Sequence, residues 1–262
     1  MTDSPVITTA PRKRAAPRVA AVGVHRTATH LYYFNGAGPW PGVTTVTKVL
    51  DAPALTYWKM GQVAESAIAN AERLIEDRET GKAEAAKKWL LILPTTAMDR
   101  GSRIHQVLEF ILRRATNVPV EPADANAVAG ARLWLNEHKV KPLEVEAFLI
   151  NETLEFGGTC DLIAEIDGVV WLLDWKTGGS VTQPDGTVYD EMRLQLAAYA
   201  HAEFIARPGD PERHPVPGIE RYGILHVTDG GTRLYEAEVT EEDWIAFRAC
   251  LRLWQWRKAK SA

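Results

Sequence analysis

The sequence predicts a single α/β domain whose N-terminal layer is helical. Up to about residue 138, apolar residues recur at the spacing of amphipathic helices. From residue 143 onward, the apolar residues alternate with period two, which is typical of strands. Asp167-Gly168 and Asp229-Gly230-Gly231 stand between such strands as hairpin turns. The order is therefore helices, three strands, a helix, two strands and a helix.

The N-terminal half is expected to be mainly helical. Residues 1–18 are polar, proline-containing and net positive, which predicts a disordered basic tail before a single domain over residues 19–262. That tail is either solvated or a basic arm that touches phosphate. Two strands come first, at residues 19–24 and 31–34. Helices are predicted at residues 44–50 (capped by Thr44), 55–77, 82–93 (ended by Pro94), 96–114 and 124–138.

The C-terminal half is expected to form the sheet. Three strands are predicted at residues 143–150, 156–166 and 169–176, the last apolar enough to be central. A helix is predicted at residues 190–206 and a second hairpin at residues 221–228 and 232–239. Thr240 and Asp243 resemble a capping box that begins the last helix.

Composition excludes several classes of protein. The chain has 262 residues, 46% of them hydrophobic, and a net charge of -4, so a uniformly basic nucleic-acid coat is disfavoured. Its two cysteines, Cys160 and Cys250, cannot form a four-cysteine zinc or iron–sulfur site, and they fit a reducing, cytoplasmic compartment. The apolar runs are too short to span a membrane, and the N-terminus lacks the apolar run of a signal peptide. The sequence has no Gly-rich loop ending in Gly-Lys-Ser/Thr, so no bound nucleotide is expected.

Two carboxylates and a lysine are predicted to meet on adjacent strands. Asp161 lies on one strand and Asp174 on the next, and Asp174 and Lys176 share a face because they are two residues apart. Hard oxygen ligands of this kind suit Mg²⁺ or Mn²⁺, and a nearby lysine can hold or activate a water for phosphodiester hydrolysis. The alternative is that Lys176 only forms a cross-strand ion pair. The apolar run before Asp174 favours a buried charged site.

Two helices supply further candidates. Gln195 and Tyr199 are four residues apart, so they share a helix face from which both could donate to phosphate or to a water. The alternative is that Tyr199 packs and Gln195 is solvated. His105 lies on the predicted helix that contains Gly101, and a neutral imidazole there could complete a metal site; a lone histidine is more often structural.

In order and spacing, these residues resemble the PD-(D/E)xK nuclease superfamily, in particular its RecB-like branch with many phage exonucleases. Gly101 and His105 match a Gly-x-x-x-His pattern, and Gly158 and Asp161 match Gly-x-x-Asp. Asp174-Trp-Lys176-Thr-Gly178 matches an Asp/Glu-x-Lys-Thr-Gly segment, and Gln195 with Tyr199 matches a Gln-x-x-x-Tyr helix. The segment from Pro41, with Leu55 and Trp58, is similar to the start of phage members. The resemblance covers residues 40–205.

The resemblance implies a restriction-endonuclease-like core, a mixed central sheet flanked by helices. It implies that Mg²⁺ or Mn²⁺ is bound by His105, Asp161, Asp174 and the backbone carbonyl of Trp175, and that Lys176 positions or deprotonates the attacking water. Gln195 and Tyr199 would contact DNA phosphate or support the site. Glu146 would orient the site, or it is a surface-exposed strand residue. Unlike the relatives that hold an iron–sulfur cluster, this chain lacks four cysteines.

The implied activity is that of a stand-alone deoxyribonuclease, an exonuclease in phage DNA recombination or replication, in the host cytoplasm. The alternative is a catalytically silent DNA-binding or protein-interaction module. DNA is the expected partner, together with a phage recombination or single-strand-binding protein; cleavage polarity and oligomeric state stay open.

The helical layer, which includes Arg103, is predicted to form one wall of the DNA channel, because its basic residues exceed its acidic residues by four. The basic residues are Lys82, Lys87, Lys88, Arg100, Arg103, Arg113 and Arg114, and the acidic residues are Glu84, Asp99 and Glu109. Ordinary solvated helix faces are an equal alternative.

Overall fold

The computed structural model describes residues 22–50, 53–82, 84 and 93–260. The predicted tail, the first residues of the predicted strand 19–24 and most of the predicted helix 82–93, with Lys87 and Lys88, lie outside these residues. The strands are β1 (Val24–Arg26), β2 (Leu31–Phe34), β3 (Ala37–Pro41), β4 (Lys141–Asn151), β5 (Phe156–Ile166), β6 (Val169–Thr177), β7 (Phe204–Arg207), β8 (Asp210–His214), β9 (Arg221–Thr228) and β10 (Gly231–Ala237). The α-helices are α1 (Val43–Thr47), α2 (Pro53–Ala69), α3 (Ala71–Glu79), α4 (Leu93–Leu112), α5 (Ala125–Glu137), α6 (Asp190–Ala200) and α7 (Glu241–Ala259).

A seven-stranded mixed sheet forms the centre, in the order β10-β9-β6-β5-β4-β7-β8. Its strand pairs are antiparallel except for β6 and β9, which run parallel. Asp167 and Gly168 both have positive φ at the β5–β6 turn, as a tight hairpin requires. This sheet with its helices confirms the predicted α/β class.

Helices cover both faces of the sheet and bury two apolar cores. On one face, α1, α6 and α7 pack on strand residues such as Ile163, Leu172 and Ile224. On the other face, α4 and α5 pack on Leu162, Leu173 and their neighbours. Because β5 and β6 are covered on both faces, polar side chains at their ends are held in buried surroundings.

A second sheet, β1-β2-β3, packs beside the first. Tyr32, Phe34 and Trp40 form its core with Ile150 of β4 and Phe204 of β7. The N-terminal strands therefore pack against the end of β4 and the start of β5.

Several predicted elements differ from the structure. The helix predicted at residues 190–206 is wrong in its second half: α6 ends at Ala200, and β7 pairs with β4, where Phe204 and Ile205 are buried. The sequence did not predict β3 or β8, because one contains two prolines and the other is a highly charged edge strand. The single helix predicted at residues 55–77 is two helices that meet at Asn70.

At the helix ends, one prediction is confirmed and one is wrong. The capping box at Thr240 and Asp243 is confirmed, with both reciprocal hydrogen bonds present. The first short helix begins one residue earlier than predicted, with Gly42 rather than Thr44 at its N-cap. Among the described residues, none of the helices has both the length and the apolar character that crossing a bilayer requires.

Candidate active site

An open cleft of about 750 Å³ lies where α4, α6 and the small sheet meet strands β4, β5 and β6. Each of these elements contributes side chains to its lining. The structure brings together in this cleft nearly all the residues that the sequence singled out: His105, Glu146, Asp161, Asp174, Lys176, Gln195, Tyr199 and Arg103.

Asp161 lies at the centre of the cluster. Its side chain accepts a hydrogen bond from the backbone N–H of Trp175 at 2.7 Å, and its other oxygen lies 3.3 Å from Nδ1 of His105. Burial raises the pKa of this carboxyl, but His105, Lys176 and the Trp175 N–H outweigh it, so the pKa is lowered overall. Asp161 is therefore an ionised carboxylate at neutral pH.

Glu146 lies opposite Asp161 across the β4–β5 pair. The residues on either side of it pair in register with the neighbours of Asp161, and Glu146 has a φ of 52°. Burial and the charge of Asp161 raise the pKa of Glu146 to about 7. The structure thus places Glu146 half-buried in the cleft, which contradicts its alternative interpretation as a surface-exposed strand residue.

His105, Glu146 and Asp161 fit a divalent cation. Each offers one ligand atom, and these atoms lie within 4.8 Å of one another. Two carboxylates packed together repel each other, and a cation between them would remove that cost. Carboxylate oxygens with one imidazole form a donor set that Mg²⁺ or Mn²⁺ can use.

The buried carboxylate of Asp174 and the half-buried ammonium of Lys176 form a separate ion pair beside this cluster. Lys176 donates to Oδ2 of Asp174, and Gln195 Nε2 donates to Oδ1 at 2.7 Å. Burial raises the pKa of Asp174 to about 6. Burial lowers the pKa of Lys176, but the negative charges of Asp174 and Asp161 outweigh this effect, so the pKa of Lys176 is raised overall. At neutral pH both groups are charged.

This arrangement differs from the ligand set that the resemblance implied. The structure groups His105 and Asp161 with Glu146, whereas both oxygens of Asp174 are bonded to Lys176 and Gln195. The ion-pair alternative for Lys176, with Asp161 or Asp174 across strands, is correct in its partner Asp174 but not in its geometry, because both residues lie on β6. A metal-binding role for Asp174 and the Trp175 carbonyl stays a prediction.

Gln195 and Tyr199 support the pair from α6. Besides Asp174, Gln195 Nε2 donates to the Tyr199 hydroxyl at 2.9 Å, and that hydroxyl donates to the carbonyl of Thr159 at 2.8 Å. Both side chains are buried, and these donors are occupied within the protein. Of the two implied roles, the structure therefore favours support of the site over contact with DNA phosphate.

The comparison with known families agrees with this geometry. Residues 123–254, half of the chain, match the PD-(D/E)XK nuclease superfamily. The chain belongs to the PD-(D/E)XK nuclease superfamily. The matched span contains Glu146, Asp161, Asp174, Lys176 and Gln195, while His105 precedes it.

Other comparisons add little. No curated protein matches the chain. It is similar to a solved structure described as "Crystal structure of SSO0001", with 15% identity and a TM-score of 0.30 over 50% of this chain and 58% of that chain. The match thus spans just over half of that structure, and no functional argument follows from it.

Adjacent glycines let two tyrosines approach β5, the strand that contains Asp161. A Cβ on Gly157 would lie 2.7 Å from the ring of Tyr32, and one on Gly158 would lie 2.4 Å from the ring of Tyr199. Both tyrosine hydroxyls bond to Thr159, one to its hydroxyl and one to its carbonyl. The Gly-x-x-Asp pattern therefore reflects close packing and not only chain flexibility.

Gly158→Ala is expected to destabilise the protein by about 1–3 kcal/mol, because the new methyl group overlaps Tyr199. Urea unfolding measures this change. Gly218→Ala is the matched control, since a Cβ at Gly218 meets nothing within 4 Å. Equal stability of the two variants would contradict the packing role of Gly158.

Gly101 has a similar explanation. A Cβ there would lie 2.8 Å from Oγ1 of Thr177, at the end of β6. The glycine thus lets α4 approach the strand that contains Asp174 and Lys176. That approach brings His105, one helical turn later, to Asp161.

The arginines on α4, and Arg113 directly after it, are paired with acids. Arg100 and Arg103 both bond to the buried carboxylate of Asp124, at 3.1 and 2.9 Å, and Arg100 also pairs with Asp229. Arg113 pairs with Glu109. Arg103 lines the cleft, but these ion pairs offset much of the charge on which the DNA-channel prediction for the helical layer rests.

Several cleft residues had no sequence pattern that pointed to them. Thr159 lies between the Gly-x-x-Asp residues, and Arg26, His30 and Tyr32 come from the small N-terminal sheet. That sheet packs on β4 and β5 through aromatic contacts distant in sequence, which local patterns do not reveal.

The pKa of Glu146 predicts a pH-dependent stability of the metal-free protein. In the folded state this carboxyl binds its proton up to about pH 7, against an ordinary pKa of 4.5. The folded state therefore binds more protons between these values, so the Glu146 contribution to stability falls as pH rises through that window. Urea unfolding in EDTA measures the free energy of unfolding at pH 5 and at pH 8. Between these values, wild type should lose on the order of 2 kcal/mol more stability than Glu146→Gln. Parallel pH profiles would contradict this assignment.

Proposed function

We propose that this chain is a divalent-metal-dependent deoxyribonuclease that hydrolyses phosphodiester bonds. The observation that supports it is the acid cluster of His105, Glu146 and Asp161 next to charged Lys176, in an open cleft of a PD-(D/E)XK protein. We further propose exonuclease action in phage DNA recombination or replication, as the sequence resemblance implies.

Each residue has a separate role in this proposal. His105, Glu146 and Asp161 would hold the cation, with Asp174 and the Trp175 carbonyl as further candidate ligands. When bound, the cation would supply a Lewis acid for a phosphate oxygen. Because its pKa is raised, Lys176 is an ammonium at neutral pH and orients the attacking water as a hydrogen-bond donor. Gln195 fixes the lysine through its Oε1, 3.3 Å from Nζ.

Digestion of linear and circular DNA tests both parts of the proposal. Linear duplex and single-stranded DNA, and a closed circular plasmid, are incubated with Mg²⁺, Mn²⁺ or EDTA. Linear DNA should be degraded to short products with either metal, the circle should be spared, and EDTA should stop the reaction. Cleavage in EDTA would refute metal dependence. Nicking of the circle would show an endonuclease instead.

DNA is the substrate in this proposal, and a phage recombination or single-strand-binding protein is a candidate partner. A cytoplasmic location is also proposed. Cys160 and Cys250 are both buried and free, which is compatible with a reducing compartment.

A further inference from the structure

The small N-terminal sheet brings exposed basic groups to the cleft. Arg26, at the end of β1, and His30, in the following turn, both line it. Lys48 follows α1, and burial together with the charges of Arg26 and Lys48 lowers the pKa of His30. The charges of Arg26 and Lys48 both reach His30, and these three groups form the N-terminal basic cluster. Because the pKa of His30 is lowered, its imidazole is neutral at neutral pH, and Arg26 and Lys48 supply the positive charge of the cluster.

Arg26 is held by the strand of the acid cluster. Its Nη1 donates to Oγ1 of Thr159 at 3.3 Å, and that oxygen also lies 3.0 Å from the Tyr32 hydroxyl. Thr159 precedes Asp161 by two residues, a distance of about 7 Å along a strand. The hydrogen bond to Thr159 therefore holds the guanidinium next to the acid cluster without placing it in contact with the carboxylates.

Arg26 differs from the arginines on and directly after α4. Arg100, Arg103 and Arg113 each form an ion pair with a carboxylate. Among the described residues, no carboxylate forms an ion pair with Arg26. Since a guanidinium has five N–H donors, most of those of Arg26 are open to a ligand.

We propose that the N-terminal basic cluster is a phosphate-binding subsite, in which Arg26 contacts a phosphate of the nucleic acid next to the scissile one. The inference rests on the proposed function, because it places the scissile phosphate at the acid cluster. A guanidinium held in place suits this ligand, since it donates paired hydrogen bonds to phosphate oxygens. The phosphate is either an internal phosphodiester or a terminal phosphate.

Binding in EDTA tests the subsite without cleavage. The probe is a 3′-fluorescein oligonucleotide, with either a 5′-hydroxyl or a 5′-phosphate, and fluorescence anisotropy is measured with the full chain over a range of salt concentrations. Arg26→Gln, which keeps a donor for Thr159 but loses the charge, should bind about tenfold more weakly. The slope of log affinity against log salt should fall by about one. Arg26→Lys keeps the charge but loses the paired donors, so it should keep the wild-type salt slope and bind with an affinity between those of wild type and Arg26→Gln.

The matched control is Arg252→Gln, which removes the same charge from an exposed position on α7 that does not line the cleft. It should bind like wild type. A loss for Arg26→Gln with both oligonucleotides indicates an internal phosphodiester, and a loss only with the 5′-phosphate indicates a terminal phosphate. Unchanged affinity and salt slope in Arg26→Gln, or an equal loss in Arg252→Gln, would overturn the subsite.

Failure of the subsite and failure of the nuclease proposal give different results. If wild type cleaves DNA with Mg²⁺ while Arg26→Gln binds normally, the subsite is wrong and the nuclease proposal stands. If no metal supports cleavage but Arg26→Gln still weakens binding, the nuclease proposal fails and a phosphate contact at Arg26 remains.

Discussion

Asp161→Asn is expected to lower the rate of DNA cleavage on the order of a thousandfold. The variant keeps an oxygen that can accept the Trp175 N–H, so the strand pair stays intact. It removes the negative charge closest to both His105 and Glu146, and a lost cation contact costs several kcal/mol in the transition state. Single-turnover digestion of linear DNA measures the rate, and calorimetry measures Mn²⁺ affinity.

Asp167→Asn is the control for this charge change. Asp167 is exposed in the turn that follows the same strand, and its positive φ is well tolerated by asparagine. This control should cleave and bind Mn²⁺ like wild type. Full activity of Asp161→Asn would contradict the role given to the acid cluster.

Lys176→Met is expected to abolish cleavage and to destabilise the metal-free protein by about 3 kcal/mol at pH 8. The substitution leaves Asp174 buried without its cationic partner, and an unpaired buried carboxylate is costly. Lys141→Met is the control, because its pair with Glu165 is largely exposed and should contribute less than about 1 kcal/mol. Urea unfolding in EDTA measures stability.

A double variant separates the two roles of the lysine. Lys176→Met with Asp174→Asn removes both charges, so it should regain most of the stability and stay inactive. If the double variant is as unstable as the single one, the buried carboxylate is not the cause. If Lys176→Met still cleaves DNA, the lysine does not orient the water.

The sequence predicted the strands around the site well because their hairpins are local. Asp161 and Asp174 flank a single Asp-Gly turn, so period-two alternation and turn chemistry were sufficient to place them together. His105 needed the resemblance, since its approach depends on Gly101 packing against Thr177 on a distant strand.

The remaining parts of the site depend on contacts that local patterns do not encode. Glu146 enters the cleft because of its unusual backbone angle on β4, and the misjudged end of α6 reflects pairing of β7 with a strand far away in sequence. The charge count in α4 could not reveal that Arg100 and Arg103 share Asp124. In each case a tertiary contact overrides the local preference.

The two adjacent glycines of β5 also restrict how the chain can misfold. In the native pairing, Leu149 lies opposite Gly158 and Ile150 lies opposite Gly157, so the two tyrosine rings occupy the spaces that these glycines leave. A one-residue slip of β5 would bring the side chain of Phe156 or Thr159 into one of those spaces. Steric overlap therefore penalises a slip in either direction. The absence of side chains at these two glycines thus fixes the register of β5, and with it the position of Asp161.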